Sequence, residues 1–277
     1  MGKGKPRAEK HRITGEYEIS TGTARVRTDP DRDGAYLLEI NNVPSSPIVL
    51  GSPRVLLFDY MVWAAAAVEE FFAARRDPAQ LHLTHLGGAV CTLPRYFADL
   101  WPDSRNLVVE IDAALATYVR EWFDFPDPPA VSIVVGEART ETHRLPPAST
   151  DLIIRDVFAG GSIPEHLCTL EFFAAARCAL TPGGLYLANH AAFPGLQTTR
   201  KELAGMREVF PHVAAIADPG ILAGRAYGNM ALLGSDLPID AEGLRRRLRE
   251  DRTRATVRGG DWVAEVVGAI RPRHDRT

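Results

Sequence analysis

The chain has 277 residues, 45% hydrophobic and 24% charged, with a formal net charge of −3. That length accommodates one main α/β domain with a small appendage, and the near-neutral charge argues against general nucleic-acid affinity. With no apolar run long enough to span a bilayer and three cysteines (Cys91, Cys168, Cys178) outside any CxxC spacing, a cytoplasmic protein with buried free thiols is expected, not a disulfide scaffold.

Residues 1–11, opening Met1-Gly-Lys-Gly-Lys-Pro-Arg7, read as a solvated basic tail. Residues 12–51 read as a small β module. Within it, 17–27 form a strand rich in β-branched and aromatic residues, 29–34 a turn and 35–40 a second strand. Asn41-Asn42 makes a tight turn, and 48–50 can pair back. A module of this size cannot bury a core alone, so it must pack on the main domain or on another subunit.

Ser52-Pro53 reads as an N-cap followed by Pro at the first helical position, opening a helix that ends near 75–78. Strand-like and helix-like segments then alternate. Strands are expected at 81–86, 107–111, 131–135, 152–155, 185–189, 213–216 and 231–233, and helices at 93–100, 113–122, 170–180 and 199–209. This rhythm predicts a doubly wound, Rossmann-like sheet of methyltransferase type over 52–235. Thr181-Pro-Gly-Gly184 stops a helix and hands over to a strand. Residues 236–277, with Arg245-Arg-Arg247 and Arg249-Glu-Asp-Arg252, read as a charged helical extension carrying a solvated basic face.

In open α/β sheets ligands bind at the carboxyl ends of the strands, near the point where strand order reverses. Four successive predicted strand ends carry glycines or carboxylates: Gly87-Gly88-Ala89, Glu110-Ile111-Asp112, Gly136-Glu137-Ala138-Arg139 and Asp156. An apolar run ending in a carboxylate, about 20 residues beyond a strand–glycine turn, is how such folds grip an adenosine ribose. Glu110 is therefore read as a ribose ligand rather than a helix cap. Glu137 is read as an adenine contact rather than a loop acid, and Asp156 as a catalytic or substrate carboxylate. His85 and Cys91 are read as packing residues, and His166 as a structural loop histidine. His82 and His85 point to opposite faces of one strand and make no metal site. No GxxxxGK[ST], GxSxG or complete GxGxxG is present. A nucleoside bound without a phosphate cradle fits an S-adenosyl sulfonium better than a dinucleotide.

Read in order, these motifs resemble the spermidine synthase (polyamine aminopropyltransferase) family over roughly residues 35–235. The resemblance rests on Asn41-Asn42-Val43, Phe58-Asp-Tyr-Met61, His85-Leu-Gly-Gly88, Val109-Glu-Ile-Asp112, Gly136-Glu-Ala-Arg139, Asp151-Leu-Ile-Ile-Arg-Asp156, Glu171-Phe-Phe173 and Leu180-Thr-Pro-Gly-Gly184. It implies that Gly87, Gly88, Glu110, Ile111, Glu137 and Ala138 bind the adenosyl donor. It also implies that Asp156 and Tyr60 are catalytic, and that Asp59 and Tyr227 contact the acceptor. The chain departs from the family pattern at three places. Ala89-Val90-Cys91 carries no Asp in the glycine turn, Pro44 or Ser45 replaces a Gln, and Asp156-Val-Phe-Ala-Gly-Gly-Ser-Ile-Pro164 lacks the second Asp.

The resemblance implies aminopropyl transfer from decarboxylated S-adenosylmethionine to a small amine, by a homodimer that uses no metal. Two other readings stay open. One is an S-adenosylmethionine-dependent methyltransferase on the same scaffold, and the other is a non-catalytic adenosyl-ligand-binding protein.

Overall fold

The structure, a computed structural model, describes residues 13–73, 75, 77 and 80–275. The expected tail at 1–11 lies outside the described residues. The remaining chain forms a four-stranded antiparallel sheet and an eight-stranded mixed sheet covered by helices.

The small sheet runs in the order β1 (Gly15–Ile19), β2 (Gly22–Thr28), β3 (Ala35–Ile40), β4 (Val43–Val49). The single strand expected over 17–27 is a hairpin instead. Ile19 pairs with Gly22, so the chain turns at Ser20-Thr21, and Gly22 takes a φ of +136° that a side chain would resist. Asn41 and Asn42 both sit in the left-handed region, at φ 51° and 65°, as the tightest hairpin turns require. Ile19, Ala24, Val26, Leu38 and Ile48 turn inward and join Val108, Leu115, Val119 and Phe123 in one buried cluster. The module thus completes its core on the main domain, the first of the two packings its size allowed.

Ser52-Pro53 does not open a helix. The Ser52 carbonyl closes a tight turn by accepting the Val55 N–H at 3.0 Å. The helix α1 (Asp59–Ala73) begins six residues later, with acidic Asp59 in its first turn, where the helix dipole favours it.

The large sheet has the order β12-β10-β11-β9-β8-β5-β6-β7. Its parallel part comprises β5 (His82–Leu86), β6 (Arg105–Glu110), β7 (Val131–Val135), β8 (Thr150–Arg155) and β9 (Leu180–Ala192). β10 (His212–Ala217), β11 (Gly228–Ser235) and β12 (Thr256–Arg258) complete it through antiparallel pairs. After β5 the strands build outward through β6 to β7, then cross back to β8 on the other side of β5. The switch point therefore lies between β5 and β8.

The helices are α2 (Thr92–Leu100), α3 (Ala113–Trp122), α4 (Ala138–Arg144), α5 (Leu170–Ala179), α6 (Gln197–Val209), α7 (Pro219–Leu222), α8 (Ala241–Glu250) and α9 (Gly260–Val267). Helix α4 went unforeseen because Ala-Arg-Thr-Glu-Thr-His-Arg has no apolar stripe; it buries Ala138 and Thr142 alone. In α8 Arg246 and Arg249 face outward, while Leu244 and Leu248 are buried against the rest of the domain. Arg245 and Arg247 are half-buried, the first donating to the Val257 carbonyl and the second pairing with Glu69 on α1. The same C-terminal stretch adds β12 to the sheet edge, a three-residue strand too short for a periodicity signal. Strand β9 starts directly at Leu180, and Thr181–Gly184 absorb a register shift between Thr150↔Leu180 and Leu152↔Leu185. Phe72, Phe97, Phe172 and Phe173 are fully buried in the main core, and truncating any of them to Ala costs about 3–5 kcal/mol. The three cysteines are free; Cys91 and Cys168 are buried as expected, but Cys178 is exposed on α5. Among the described residues no helix is long and apolar enough to cross a membrane.

Candidate active site

At the switch point β5 ends in Gly87, whose N–H donates to the Val109 carbonyl at 2.9 Å. Its φ is +89°, and a Cβ there would lie 2.2 Å from the Asp156 carbonyl oxygen. A side chain would therefore drive β5 and β8 apart at their carboxyl ends. A cavity of about 750 Å³ opens over these ends, a size suited to a small-molecule ligand.

One end of the cavity is built by β5, β6 and β7. Glu110 leaves β6 almost fully buried. Its Oε2 accepts the Gly88 and Ala89 N–H groups at 3.0 and 3.1 Å, and its Oε1 accepts the Asp112 N–H at 3.0 Å. Asp112 caps α3, its Oδ1 accepting the Leu115 N–H at 2.9 Å. Its Oδ2 accepts the Thr21 N–H at 2.6 Å and hydroxyl at 2.9 Å, which ties the N-terminal hairpin to the site. Burial pushes the Asp112 carboxyl up, but the Leu115 and Thr21 hydrogen bonds outweigh it and hold it below the usual range. Ile111 is exposed at the cavity rim.

Glu137 is a helix cap. Oε1 accepts the Arg139 N–H at 2.9 Å and Oε2 the Thr140 N–H at 2.8 Å, so the acid fixes the start of α4. His166 Nε2 lies 3.0 Å from Glu137 Oε1. Burial again opposes these bonds to Glu137, and the net shift of its carboxyl is downward. Ala138 is buried beside it, and both line the cavity.

The other end is built by β8, β9, β11 and the start of α1. The Tyr60 hydroxyl donates to Asp156 Oδ2 at 2.8 Å. The Asn189 amide donates to Asp156 Oδ1 at 2.8 Å, and the Asn229 amide donates to Asn189 Oδ1 at 2.8 Å. Burial pushes the Asp156 carboxyl above its ordinary range, opposed by the bonds from Asn189 and Tyr60. Burial and the neighbouring Asp156 charge push the Tyr60 hydroxyl well up, so it stays a donor. Tyr227 is exposed at the mouth, its ring 5.1 Å from Phe193.

Behind Asp156 runs a buried polar network. Arg155, fully buried, pairs with Glu202 on α6. His190 Nδ1 lies 2.7 Å from Glu202 Oε2, and its Nε2 lies 3.0 Å from the Thr199 hydroxyl. Burial pushes the Glu202 carboxyl up, yet Arg155 and His190 bring it down to about 2. The pair holds the end of β8 against α6, and with it the backbone that presents Asp156.

Of the residues singled out by sequence, Gly87, Gly88, Glu110, Ile111, Glu137, Ala138, Tyr60, Asp156 and Tyr227 all line this cavity. Asp59 does not. It is exposed in the first turn of α1, and the helix direction that turns Tyr60 inward turns its neighbour outward. His85 is buried against Asn106 at 3.0 Å, and burial lowers its imidazole to about 4, so it is neutral. The Cys91 thiol is pushed up by burial and by Glu110, which makes it a poor nucleophile. Asn189 and Asn229 were missed. Asn189 carried the same signal as Glu110, a polar residue closing an apolar strand; Asn229 precedes the apolar part of β11 and carried none. Among the described residues no cluster of three or more His, Cys, Asp or Glu side chains could hold a metal ion.

No protein-family model matches the chain. A solved structure of a probable spermidine synthase from Corynebacterium glutamicum is 45% identical, covers 96% of this chain and 98% of its own, and superposes with a TM-score of 0.91. The polyamine aminopropyltransferase of Vibrio vulnificus is 32% identical over 135 residues, 48% of this chain. The chain spans less than half the length of that relative, 44%. A spermidine synthase solved with the transition-state analogue AdoDATO is 15% identical with a TM-score of 0.62, covering 92% of this chain and 87% of its own. At that identity the likeness is one of fold.

Proposed function

This chain belongs to the spermidine synthase family, and from that premise we propose that it transfers an aminopropyl group from decarboxylated S-adenosylmethionine to an amine. The observation that carries the reading is the state of Asp156. Of the four carboxylates that line the cavity among the described residues (Glu110, Asp112, Glu137, Asp156), it is the one held by side-chain donors and not by backbone amides.

In this reading the two ends of the cavity divide the work. Each carboxylate oxygen can accept about two hydrogen bonds. Glu110 Oε1, with the Asp112 N–H as its backbone donor, therefore has capacity for a ribose hydroxyl. Ile111 and Ala138 flank the adenine, in the loop set by the Glu137 cap. Asp156 takes a proton from the acceptor ammonium so that a neutral nitrogen attacks, while Tyr60 and Asn189 fix its orientation. The nitrogen attacks the carbon bonded to the sulfonium, the C–S bond breaks, and its electron pair neutralises sulfur, releasing methylthioadenosine. Holding nitrogen and carbon in line removes much of the entropic barrier.

Methyl transfer from intact S-adenosylmethionine is the second reading. It is favoured by Ala89, Val90 and Cys91, which supply no carboxylate in the glycine turn for an aminopropyl ammonium. Against it, the described residues lining the cavity include no Lys or Arg to receive the methionyl carboxylate. The assembly we propose is a homodimer, on the family likeness alone. The deciding experiment incubates the protein with each donor and a panel of amines and reads the products by mass spectrometry. Methylthioadenosine formed from the decarboxylated donor alone supports the proposal, and S-adenosylhomocysteine from the intact donor replaces it with the second reading.

A further inference from the structure

Among the described residues, the end of the cavity assigned to the acceptor contains one acid, Asp156. The polar side chains lining this end are Asp156, the Asn189–Asn229 amide pair and the Tyr60 and Tyr227 hydroxyls, beside apolar groups including Phe58, Phe158 and Ala191. The remaining carboxylates of the cavity are on β6, the loop after it and the start of α4, each already gripped by backbone N–H groups. The rim mixes polar Thr21, Asn41 and His166 with a larger apolar share. Val43, Ile111, Phe158 and Tyr227 are large hydrophobic residues that are exposed and line the cavity, and Phe193 packs on Tyr227. Large apolar side chains left in water around one opening mark a surface built to be covered by a ligand.

An ammonium leaving water needs an anion or several acceptors at its destination, or its desolvation goes uncompensated. One carboxylate compensates one ammonium. A diamine would carry its second charge into a wall of Phe, Tyr, Ala and amide groups, where an aromatic face offers less than a carboxylate. An apolar body on the nitrogen gains from that same wall by leaving water. Resting on the aminopropyl-transfer reading, we propose that the acceptor is a monoamine: one reactive nitrogen on an apolar or aromatic body.

The test is calorimetric titration of the full-length protein saturated with methylthioadenosine, using hexylamine, phenylethylamine and putrescine. At least one monoamine is expected to bind ten-fold or more tightly than the diamine. Ala159, exposed on the loop after Asp156 and lining the cavity, offers a converse variant. Ala159→Asp adds the missing acid and is expected to narrow the preference at least five-fold towards putrescine. Putrescine binding as tightly as either monoamine in the unaltered protein, with methylthioadenosine bound, overturns the acceptor assignment while leaving the donor reading intact. Failure of methylthioadenosine itself to bind overturns the donor reading, and the acceptor assignment falls with it.

Discussion

The two ends of the cavity hold their carboxylates by different means. At the β5–β7 end, Glu110, Asp112 and Glu137 are gripped mainly by backbone N–H groups, most of them two or three residues away or at the glycine turn. The Thr21 hydroxyl is added at Asp112 and His166 at Glu137. At the β8–β11 end, Asp156 is held by Tyr60 from 96 residues away and by Asn189 from 33 residues away. Asn189 in turn is held by Asn229, 40 residues further on. Backbone donors are fixed by helix and strand geometry whatever the neighbouring side chains are. Side-chain donors exist only while their identities are kept. One end is therefore robust and general, and the other is tunable and fragile.

The sharpest way to break this contrast is Asp156→Asn. It is expected to lower kcat roughly 10²- to 10⁴-fold and leave the methylthioadenosine dissociation constant within about two-fold by calorimetry, as for separable ends. A parallel loss of affinity would mean the two ends act as one. Next in size, Glu202→Ala leaves Arg155 buried without its partner. Urea unfolding should register a loss of about 3–5 kcal/mol.

Glu110→Gln probes the other end. Losing charge-assisted bonds worth about 1.5–3 kcal/mol should weaken methylthioadenosine binding roughly 10- to 150-fold, while kcat at saturating donor moves far less. The smallest effect is expected from Tyr60→Phe, about 1.5 kcal/mol, the low end for a hydrogen bond to a charged group, and its signature is in pH. Asp156 must be ionised to take a proton, so activity rises with pH through its pKa. Burial raises that pKa above the ordinary carboxylate range, and the Tyr60 hydrogen bond opposes the rise. Removing the hydroxyl therefore moves the acid limb of kcat/KM to higher pH. A limb that stays in place or moves down would show that Asp156 is not the group being titrated.

The same contrast explains what could be read before folding. Leu107 to Asp112 announced itself because an apolar strand closing in a carboxylate is a local pattern. Its grip on the Gly88 and Ala89 amides follows from the β5–β6 pairing that the pattern predicts. Ser52-Pro53 misled because a cap-like pair is as good a turn as a helix start, and the Val55 bond decided for the turn. Helix α4 escaped because a cap, Glu137, makes it rather than an apolar face. Asp59 and Tyr60 are neighbours in the same motif, yet a one-residue step around a helix turns one of them to solvent.

By itself the sequence determined the alternation of strands and helices, the glycine turn at Gly87-Gly88, and the carboxylates at the ends of β6 and β8. These follow from periodicity, glycine geometry and capping, which act over a few residues. The tertiary structure alone decided what Asp156 is. Its raised pKa and its Tyr60, Asn189 and Asn229 partners depend on burial and on side chains from α1, β9 and β11. Desolvation and side-chain pairing belong to the assembled sheet, and no stretch of chain carries them alone.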